Sequence, residues 1–159
     1  MATCTYLVQT AGTTTTLCLH GCASYVNCGQ LRDYLHELEK RPGKTDLLVD
    51  FRRCTAVDST ILGLLSGAAL SLARKVPPCR VIFANIDGRV LEVVKNLGLH
   101  HVVEIAESPM AISTDAATFL SPAMCETGLM LDAHTALIKA HPENENKFHD
   151  VVEALRAQL

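Results

Sequence analysis

The stretch Val57-Asp58-Ser59-Thr60-Ile61-Leu62-Gly63 decides how this chain is interpreted. A short apolar run, Leu47-Leu48-Val49-Asp50-Phe51, precedes it, and a long Leu- and Ala-rich run follows it. The Asp-Ser-Thr triplet therefore stands where a strand gives way to a helix. Backbone N–H groups and the helix dipole at such a position favour a bound or attached phosphate. We therefore expect Ser59 and Thr60 to be candidates for a switch rather than for catalysis.

Strands and helices alternate on both sides of this triplet. The pattern predicts strands over residues 4–9, 13–20, 45–51, 80–84 and 102–105, and helices that begin near residues 27, 59 and 87. The first strand is expected at an edge, Gly21 is expected to end the second, and Asn27 with Gln30 resembles a capping box. The helix after Asp58 is apolar on most sides, so we expect it to be largely buried. The order β-β-α-β-α-β-α-β predicts an α/β fold with helices packed against the sheet.

The C-terminal third of the chain has a different character. Residues 108–122 are interpreted as a linker because they are rich in Ser, Thr and Pro, and residues 123–159 are expected to form a helical hairpin appended to the domain at 1–107. One face of the last helix carries an apolar stripe of Phe148, Val152, Leu155 and Leu159. The stripe predicts intramolecular core, and a groove for a partner or for a second copy of the chain is the alternative.

Composition excludes several kinds of partner. The 159-residue chain has a net charge of −3, a 4% aromatic content and no Trp. Stacking platforms for nucleic acid and basic surfaces for anionic membranes are therefore not expected. The N-terminal residues have no signal-peptide pattern, and the apolar runs are too short to span a bilayer. These observations predict a soluble, cytoplasmic protein.

The seven cysteines are irregularly spaced and contain no Cys-x-x-Cys pair. In a cytosolic protein this predicts reduced thiols, several of them buried. Cys18, His20 and Cys22 would share one face of a strand, and Cys4 or Cys54 could add a fourth zinc ligand. Strand geometry separates such neighbours by about 7 Å, which is wide for one ion. No metal site is predicted.

The sequence contains no recognisable catalytic constellation. It has no nucleophile elbow, no Gly-rich phosphate loop and no His-Glu-x-x-His pattern. His100-His101 is expected in a loop beside a helix C-terminus, where imidazoles interact with the dipole, and no nucleophile is suggested near it. We predict neither catalytic residues nor a cofactor, with a thiol- or zinc-dependent hydrolase as the alternative.

At three places the chain resembles the STAS domain, the module of anti-sigma factor antagonists and of sulphate-transporter tails. The strand ending in Leu48-Val49-Asp50-Phe51 is followed by Asp58-Ser59-Thr60, where the family has Asp-Ser-Ser-Gly or Asp-Ser-Thr-Gly. The segments 81–92 and 97–103 are similar to the family's fourth strand, third helix and closing Gly-Leu motif. The resemblance covers residues 4–107 and implies a STAS-like mixed sheet.

The resemblance also implies a function for the triplet. In the antagonist branch, the first Ser after the Asp accepts phosphate from a Ser/Thr kinase that is also the anti-sigma factor, and this position is Ser59 here. Such a protein binds the kinase when unphosphorylated, and a phosphatase resets it. The implied contact residues are Asp58, Ser59, Thr60 and Ile61. The family has glycine where this chain has Ile61, and a β-branched residue there is expected to reshape or narrow the kinase-binding surface.

A second interpretation keeps the fold and removes the switch. The chain would then be a non-enzymatic scaffold in a signalling complex that docks through its C-terminal helices, with Ser59 only a helix cap. Those helices would also be the predicted place for homodimerisation. A transporter tail is a minor variant that applies only to a fragment of a longer chain.

Overall fold

In the computed structural model, which describes residues 4–159, the sheet begins with a hairpin. Strand β1 (Thr5–Ala11) pairs antiparallel with β2 (Thr14–Ala23). Gly12 in the turn has a φ of +61°, a left-handed conformation that favours glycine. The sequence predicts that β2 ends at Gly21, but the strand continues past it. It shifts register between Gly21 and Cys22 and continues to Ala23, because this β-bulge absorbs the positive φ of the glycine.

The centre of the sheet is parallel. Strand β3 (Asp46–Asp50) pairs with β2 on one side and with β5 (Val81–Ala84) on the other, and β5 pairs with β6 (Glu104–Ile105). All five residues of β3 are buried, as expected for a central strand. A further strand absent from the prediction, β4 (Cys54–Val57), runs parallel to the end of β2 beyond the bulge. Strand β4 leads directly into Asp58.

The first strand is not at an edge, so that prediction is wrong. Strand β7 (Thr118–Leu120) pairs antiparallel with β1, and the strand order is β6-β5-β3-β2-β1-β7. The sequence gives little sign of β7 because three residues are too short for a recognisable alternation. It lies inside the stretch 108–122, which therefore contributes to the sheet. The domain boundaries themselves stay a prediction.

Within residues 4–159 the chain forms five α-helices and, just before β6, one short 3-10 helix. They are α1 (Gly29–Lys40), α2 (Ser59–Ala73), α3 (Gly88–Asn96), the 3-10 helix Leu99–His101, α4 (Thr127–Ala140) and α5 (Asn144–Arg156). Gly98 has a φ of +69° and follows the C-cap of α3, as predicted. The protein therefore has the mixed α/β fold that the sequence predicts.

One apolar core joins the sheet to the helices. Inward-facing side chains of β2, β3 and β5 pack with α1, α2 and α3, and residues of α4 join the same cluster. The helix α2 is buried along most of its length, which confirms the prediction made from its apolar sides. Within the last helix, Val152 and Leu155 are buried, whereas Leu159 is 75% exposed and lies outside the core. The predicted stripe is therefore one residue too long.

The predicted capping box at α1 is also wrong. Asn27 does not cap the helix, which begins after Cys28 without a side-chain cap. Its Oδ1 accepts hydrogen bonds from the Ser24 amide at 3.0 Å and the Tyr6 hydroxyl at 2.6 Å, and its Nδ2 donates to the Cys22 carbonyl at 3.1 Å. The side-chain amide is thus engaged in a turn that lies before the helix.

Within residues 4–159, no helix combines the length and the apolar character needed to cross a membrane.

Candidate functional site

The site forms where β4 ends and α2 begins. Asp58 has an extended backbone and is the N-cap of α2. Its Oδ1 accepts a hydrogen bond from the Ile61 amide at 3.0 Å, and its Oδ2 accepts one from the Tyr25 amide at 2.8 Å. The carboxylate therefore caps the helix and also fixes the loop between β2 and α1 beside it. This leaves the capping position filled, and the next residue is free for another contact.

Ser59 is the first residue of α2 and is not its cap, so the helix-cap interpretation of Ser59 is wrong. Its Oγ lies 2.9 Å from Nε2 of His134, which belongs to α4. Nδ1 of His134 lies 2.7 Å from the Met130 carbonyl oxygen. Because a carbonyl oxygen only accepts, Nδ1 carries a proton, and in the neutral ring Nε2 accepts from the Ser59 hydroxyl. The serine is thus a hydrogen-bond donor to a histidine that is 5% exposed.

The remaining two predicted contact residues point into the protein. Thr60 is 3% exposed and Ile61 is 0% exposed, and Ile61 belongs to the apolar core. The bulk of Ile61 therefore does not narrow the surface around Ser59, contrary to the expectation from the family's glycine. Asp58 and Ser59 are half-buried. Of the four predicted contact residues, these two alone reach the surface.

The helix α4 packs unusually closely against the first turns of α2. A Cβ placed on Gly63 would lie 2.2 Å from the Ala133 carbonyl oxygen, so only glycine permits this approach. One turn later, a Cβ on Gly67 would lie 3.5 Å from the Ala136 Cβ, an ordinary contact. Small residues on both helices thus bring the two backbones together. His134 lies directly after the closest point, which carries it to Ser59.

The C-terminal hairpin is held at its other end by Asn144. This residue is fully buried, and its Nδ2 donates to the Leu97 carbonyl at 2.9 Å and to the Leu137 carbonyl at 2.8 Å. The first bond ties the start of α5 to the end of α3. Within the hairpin, the Phe148 ring meets the His134 ring edge-on, with the centroids 5.3 Å apart. The position of His134 is therefore set by both C-terminal helices.

A disulfide attaches the hairpin at its beginning. Cys28, just before α1, is bonded to Cys125, just before α4, with the two Cα atoms 5.8 Å apart. The prediction of seven reduced thiols is therefore wrong for this pair. The two cysteines are separated by 97 residues, and sequence spacing alone carries no signal for such a pairing. The other described cysteines are free.

The structure does not gather the cysteines and histidine of β2 into a metal centre. Across residues 4–159, no group of three or more His, Cys, Asp or Glu side chains is arranged to hold an ion. Burial raises the pKa of Cys18 and of Cys54 to about 11, so both are thiols at neutral pH. His100 and His101 are exposed, and His101 stacks on His141 rather than approaching Ser59.

Away from Ser59, a polar cleft of about 300 Å³ lies at the start of α3. Asn85 holds its wall with a positive φ of 55°, donating to Asp50 Oδ1 at 2.8 Å and to the Met110 carbonyl at 3.0 Å. Arg52 donates to the same carbonyl at 2.9 Å. These polar side chains are therefore engaged within the protein, and the cleft does not reach Ser59.

His134 is the site residue that sequence reasoning missed. It stands 75 residues from Ser59, on a helix interpreted only as an appendage. One signal pointed towards such a contact: α2 is apolar on most sides, and a helix of that kind must be covered on more faces than a sheet alone can cover. Nothing in the sequence pattern says which segment supplies the cover.

Comparisons with known proteins agree with this geometry. The family model of the STAS domain matches residues 6–111, more than half of the chain. The anti-sigma factor antagonist SpoIIAA in its unphosphorylated form is 18% identical over 65% of this chain and 88% of its own, with a TM-score of 0.54. The phosphorylated form of SpoIIAA, a Bacillus cell fate determinant, is 20% identical over 65% and 92%, with a TM-score of 0.53. No curated protein sequence matches at a significant level. The two solved structures establish likeness of fold.

Proposed function

Because the chain belongs to the STAS domain family, we propose that it is a phosphorylation-switched protein-interaction module that resembles an anti-sigma factor antagonist. In its unphosphorylated state it binds a Ser/Thr kinase-type anti-sigma partner, and phosphorylation of Ser59 releases that partner. A phosphatase restores the binding state. The module is non-enzymatic and acts in the cytoplasm of a bacterial cell as part of transcription regulation.

The observation that carries this proposal is the hydroxyl of Ser59 at the start of α2. Asp58 supplies the cap, so the Ser59 hydroxyl is not needed to hold the helix. The positive end of the helix dipole favours a phosphate at this position. SpoIIAA, which shares this fold, has been solved in unphosphorylated and phosphorylated forms. The position and the fold together support Ser59 as the acceptor.

The partner surface is expected to surround Asp58 and Ser59. In the neighbouring loop, Tyr25 and Val26 are each nearly half exposed. Met124 is 70% exposed, and the amide of the next residue, Cys125, donates a hydrogen bond to the Tyr25 carbonyl. Apolar side chains beside a hydroxyl and a carboxylate suit a protein partner better than a small ligand. A phosphate adds about −1.5 to −2 charge at pH 7, which would weaken binding of a partner with acidic residues in this contact.

Phosphorylation of the full-length protein tests the acceptor. The protein is incubated with ATP and the kinase-type anti-sigma factors of its source organism, and phosphopeptides are read by mass spectrometry. Wild type and Thr60→Ala are expected to carry one phosphate on the peptide that contains residue 59, and Ser59→Ala none. Thr60→Ala is the matched control because it removes the adjacent hydroxyl. Phosphate that persists unchanged in Ser59→Ala would contradict the assignment.

Partner binding is tested by affinity capture with the same variants. Unphosphorylated wild type is expected to retain the kinase that labels Ser59, and treatment with kinase and ATP is expected to release it. Phosphatase treatment should restore capture. Equal retention before and after phosphorylation would leave the scaffold interpretation, in which the C-terminal helices dock or dimerise without a switch.

The disulfide bears on the proposed location. Disulfides are rare in reducing cytosol, so the Cys28–Cys125 bond is unexpected at the proposed cytoplasmic location. Alkylation of cells at lysis followed by intact-mass measurement should find the pair oxidised, with the remaining cysteines labelled. Labelling of all seven cysteines would mean that the bond does not form in the cell.

A further inference from the structure

We propose that α4 is an internal competitor for the partner-binding surface: it occupies the surface formed by Ser59 and Gly63 (the Ser59 surface), and phosphorylation of Ser59 and docking of α4 exclude each other. The inference deepens the proposed function, on which it rests for the natural source of the phosphate. The helix lies outside the family match, which ends at residue 111. The family match therefore does not include the contact between α4 and Ser59.

The contact is shaped for a helix. Gly63 presents bare backbone to the Ala133 carbonyl, and any side chain there would overlap it. The buried face of α4 continues through Leu129 and Leu137 into the apolar core of the domain. A partner that grips the Ser59 surface must therefore displace α4 or take its place. An external helix bearing small residues is the kind of partner this surface fits.

The hydrogen bond between Ser59 and His134 depends on the serine being unmodified. In phosphoryl transfer, the Ser59 oxygen forms a bond to the γ-phosphorus of ATP, the bond from that phosphorus to ADP breaks, and the hydroxyl proton leaves to a base of the kinase or to water. The modified Oγ has no hydrogen to donate. The hydrogen bond from Ser59 to Nε2 of His134 is therefore lost when Ser59 is phosphorylated.

Space gives the same result. Oγ and Nε2 are separated by 2.9 Å, a hydrogen-bond distance that leaves no room for a phosphorus atom and its oxygens between them. The ring of His134 cannot retreat within α4, because Phe148 of α5 packs against it and Met130 holds Nδ1. In this arrangement a phosphate on Oγ meets His134, and we expect it to loosen or displace α4.

Hydrogen exchange on a defined phosphoprotein tests this. Phosphoserine is installed at position 59 of the full-length chain with an expanded genetic code, and exchange is followed by mass spectrometry. Peptides from residues 127–140 are expected to exchange about tenfold faster or more than in the unmodified protein, while β3 and β5 keep their protection. Phosphoserine at Ser108, which is exposed and outside α2 and α4, is the control and should leave α4 unchanged. Unchanged exchange of α4 in the protein modified at position 59 would overturn the proposal.

A second measurement applies if the phosphoprotein loses protection throughout. Ser59→Cys serves as a reporter, and alkylation of the introduced thiol by iodoacetamide is read peptide by peptide. In this background, Gly63→Ala is expected to raise the labelling rate about tenfold, because the new Cβ forces α4 away. Gly67→Ala, on the same helix and in ordinary contact with Ala136, should leave the rate unchanged. Equal rates in the two variants would overturn the proposal.

Neither measurement uses a kinase, so the outcomes separate the two proposals. If α4 leaves on phosphorylation but no kinase labels Ser59, the proposed function fails and the competition stands. If a kinase labels Ser59 while α4 stays protected, the competition fails and the proposed function stands.

Discussion

The starts of α2 and α3 look alike in sequence and differ in structure. Each follows a strand of the parallel part of the sheet, and each has an aspartate at the N-cap. Asp58 accepts two backbone amides, whereas within the described chain the Asp87 side chain caps none. The start of α2 is covered by α4, and the start of α3 lines an open cleft with Arg52. An aspartate between a strand and a helix is therefore not what distinguishes the start of α2 from that of α3.

The two helix starts differ in what packs against them. At α2, two backbone-close helices bring a buried histidine to the first hydroxyl of the helix. At the start of α3, the Asn85 side chain is hydrogen-bonded to Asp50 and to the backbone of Met110. The first arrangement can respond to a change at one oxygen, because that oxygen contacts a separate segment of chain. The second has its bonds within the domain itself.

Removing a buried apolar side chain of α4 should have the largest effect on stability. Leu137 is fully buried, and Leu137→Ala is expected to lower the free energy of unfolding by about 2–5 kcal/mol. Leu159→Ala makes the same change in the same hairpin at a residue that is 75% exposed, and should stay within about 0.5 kcal/mol. Urea denaturation of both variants measures this. Similar losses would mean that the hairpin does not add to the stability of the domain.

The two aspartates should differ less, but clearly. Asp58→Ala is expected to cost about 1–2 kcal/mol, because it removes the cap of α2 and the bond to Tyr25 together. Asp87→Ala should cost only about a few tenths of a kcal/mol. Asp58→Asn retains a side-chain oxygen for one of the two bonds and should fall between them. A cost for Asp87→Ala as large as that for Asp58→Ala would remove the distinction between the two helix starts.

The smallest effect is expected at the hydroxyl itself. Ser59→Ala leaves the half-enclosed Nε2 of His134 without its donor, which should cost about 1 kcal/mol. Ser108→Ala, at an exposed serine in the α3 cleft, should be neutral within about 0.5 kcal/mol. Thermal or urea unfolding resolves the pair. A neutral Ser59→Ala would show that the histidine finds another donor and that the hydrogen bond does not help to hold α4.

The sequence predicts the parts of this site that are local. Asp58 and Ser59 stand between an apolar strand and an apolar helix, and that order alone places them at a helix start. The contacts that the sequence does not reveal are long-range. Gly63 contacts Ala133, and Cys28 is bonded to Cys125, only through the tertiary arrangement of segments that are far apart in sequence. Short strands such as β4 and β7 escape for a related reason, because their pairing comes from the neighbouring strand rather than from their own pattern.

The disulfide determines the direction in which the hairpin can open. The start of α4 is joined covalently through Cys125, while its end is held by noncovalent contacts that include the buried Leu137 and the two hydrogen bonds of Asn144. If α4 moves, it therefore rotates about its start, which stays attached beside α1. His134 lies about 10 Å along it from the first residue, so a swing of roughly 20° moves the imidazole by about 3–4 Å. A small rotation about Cys125 that starts from the Asn144 end is thus enough to separate the histidine from the serine while the helix stays attached.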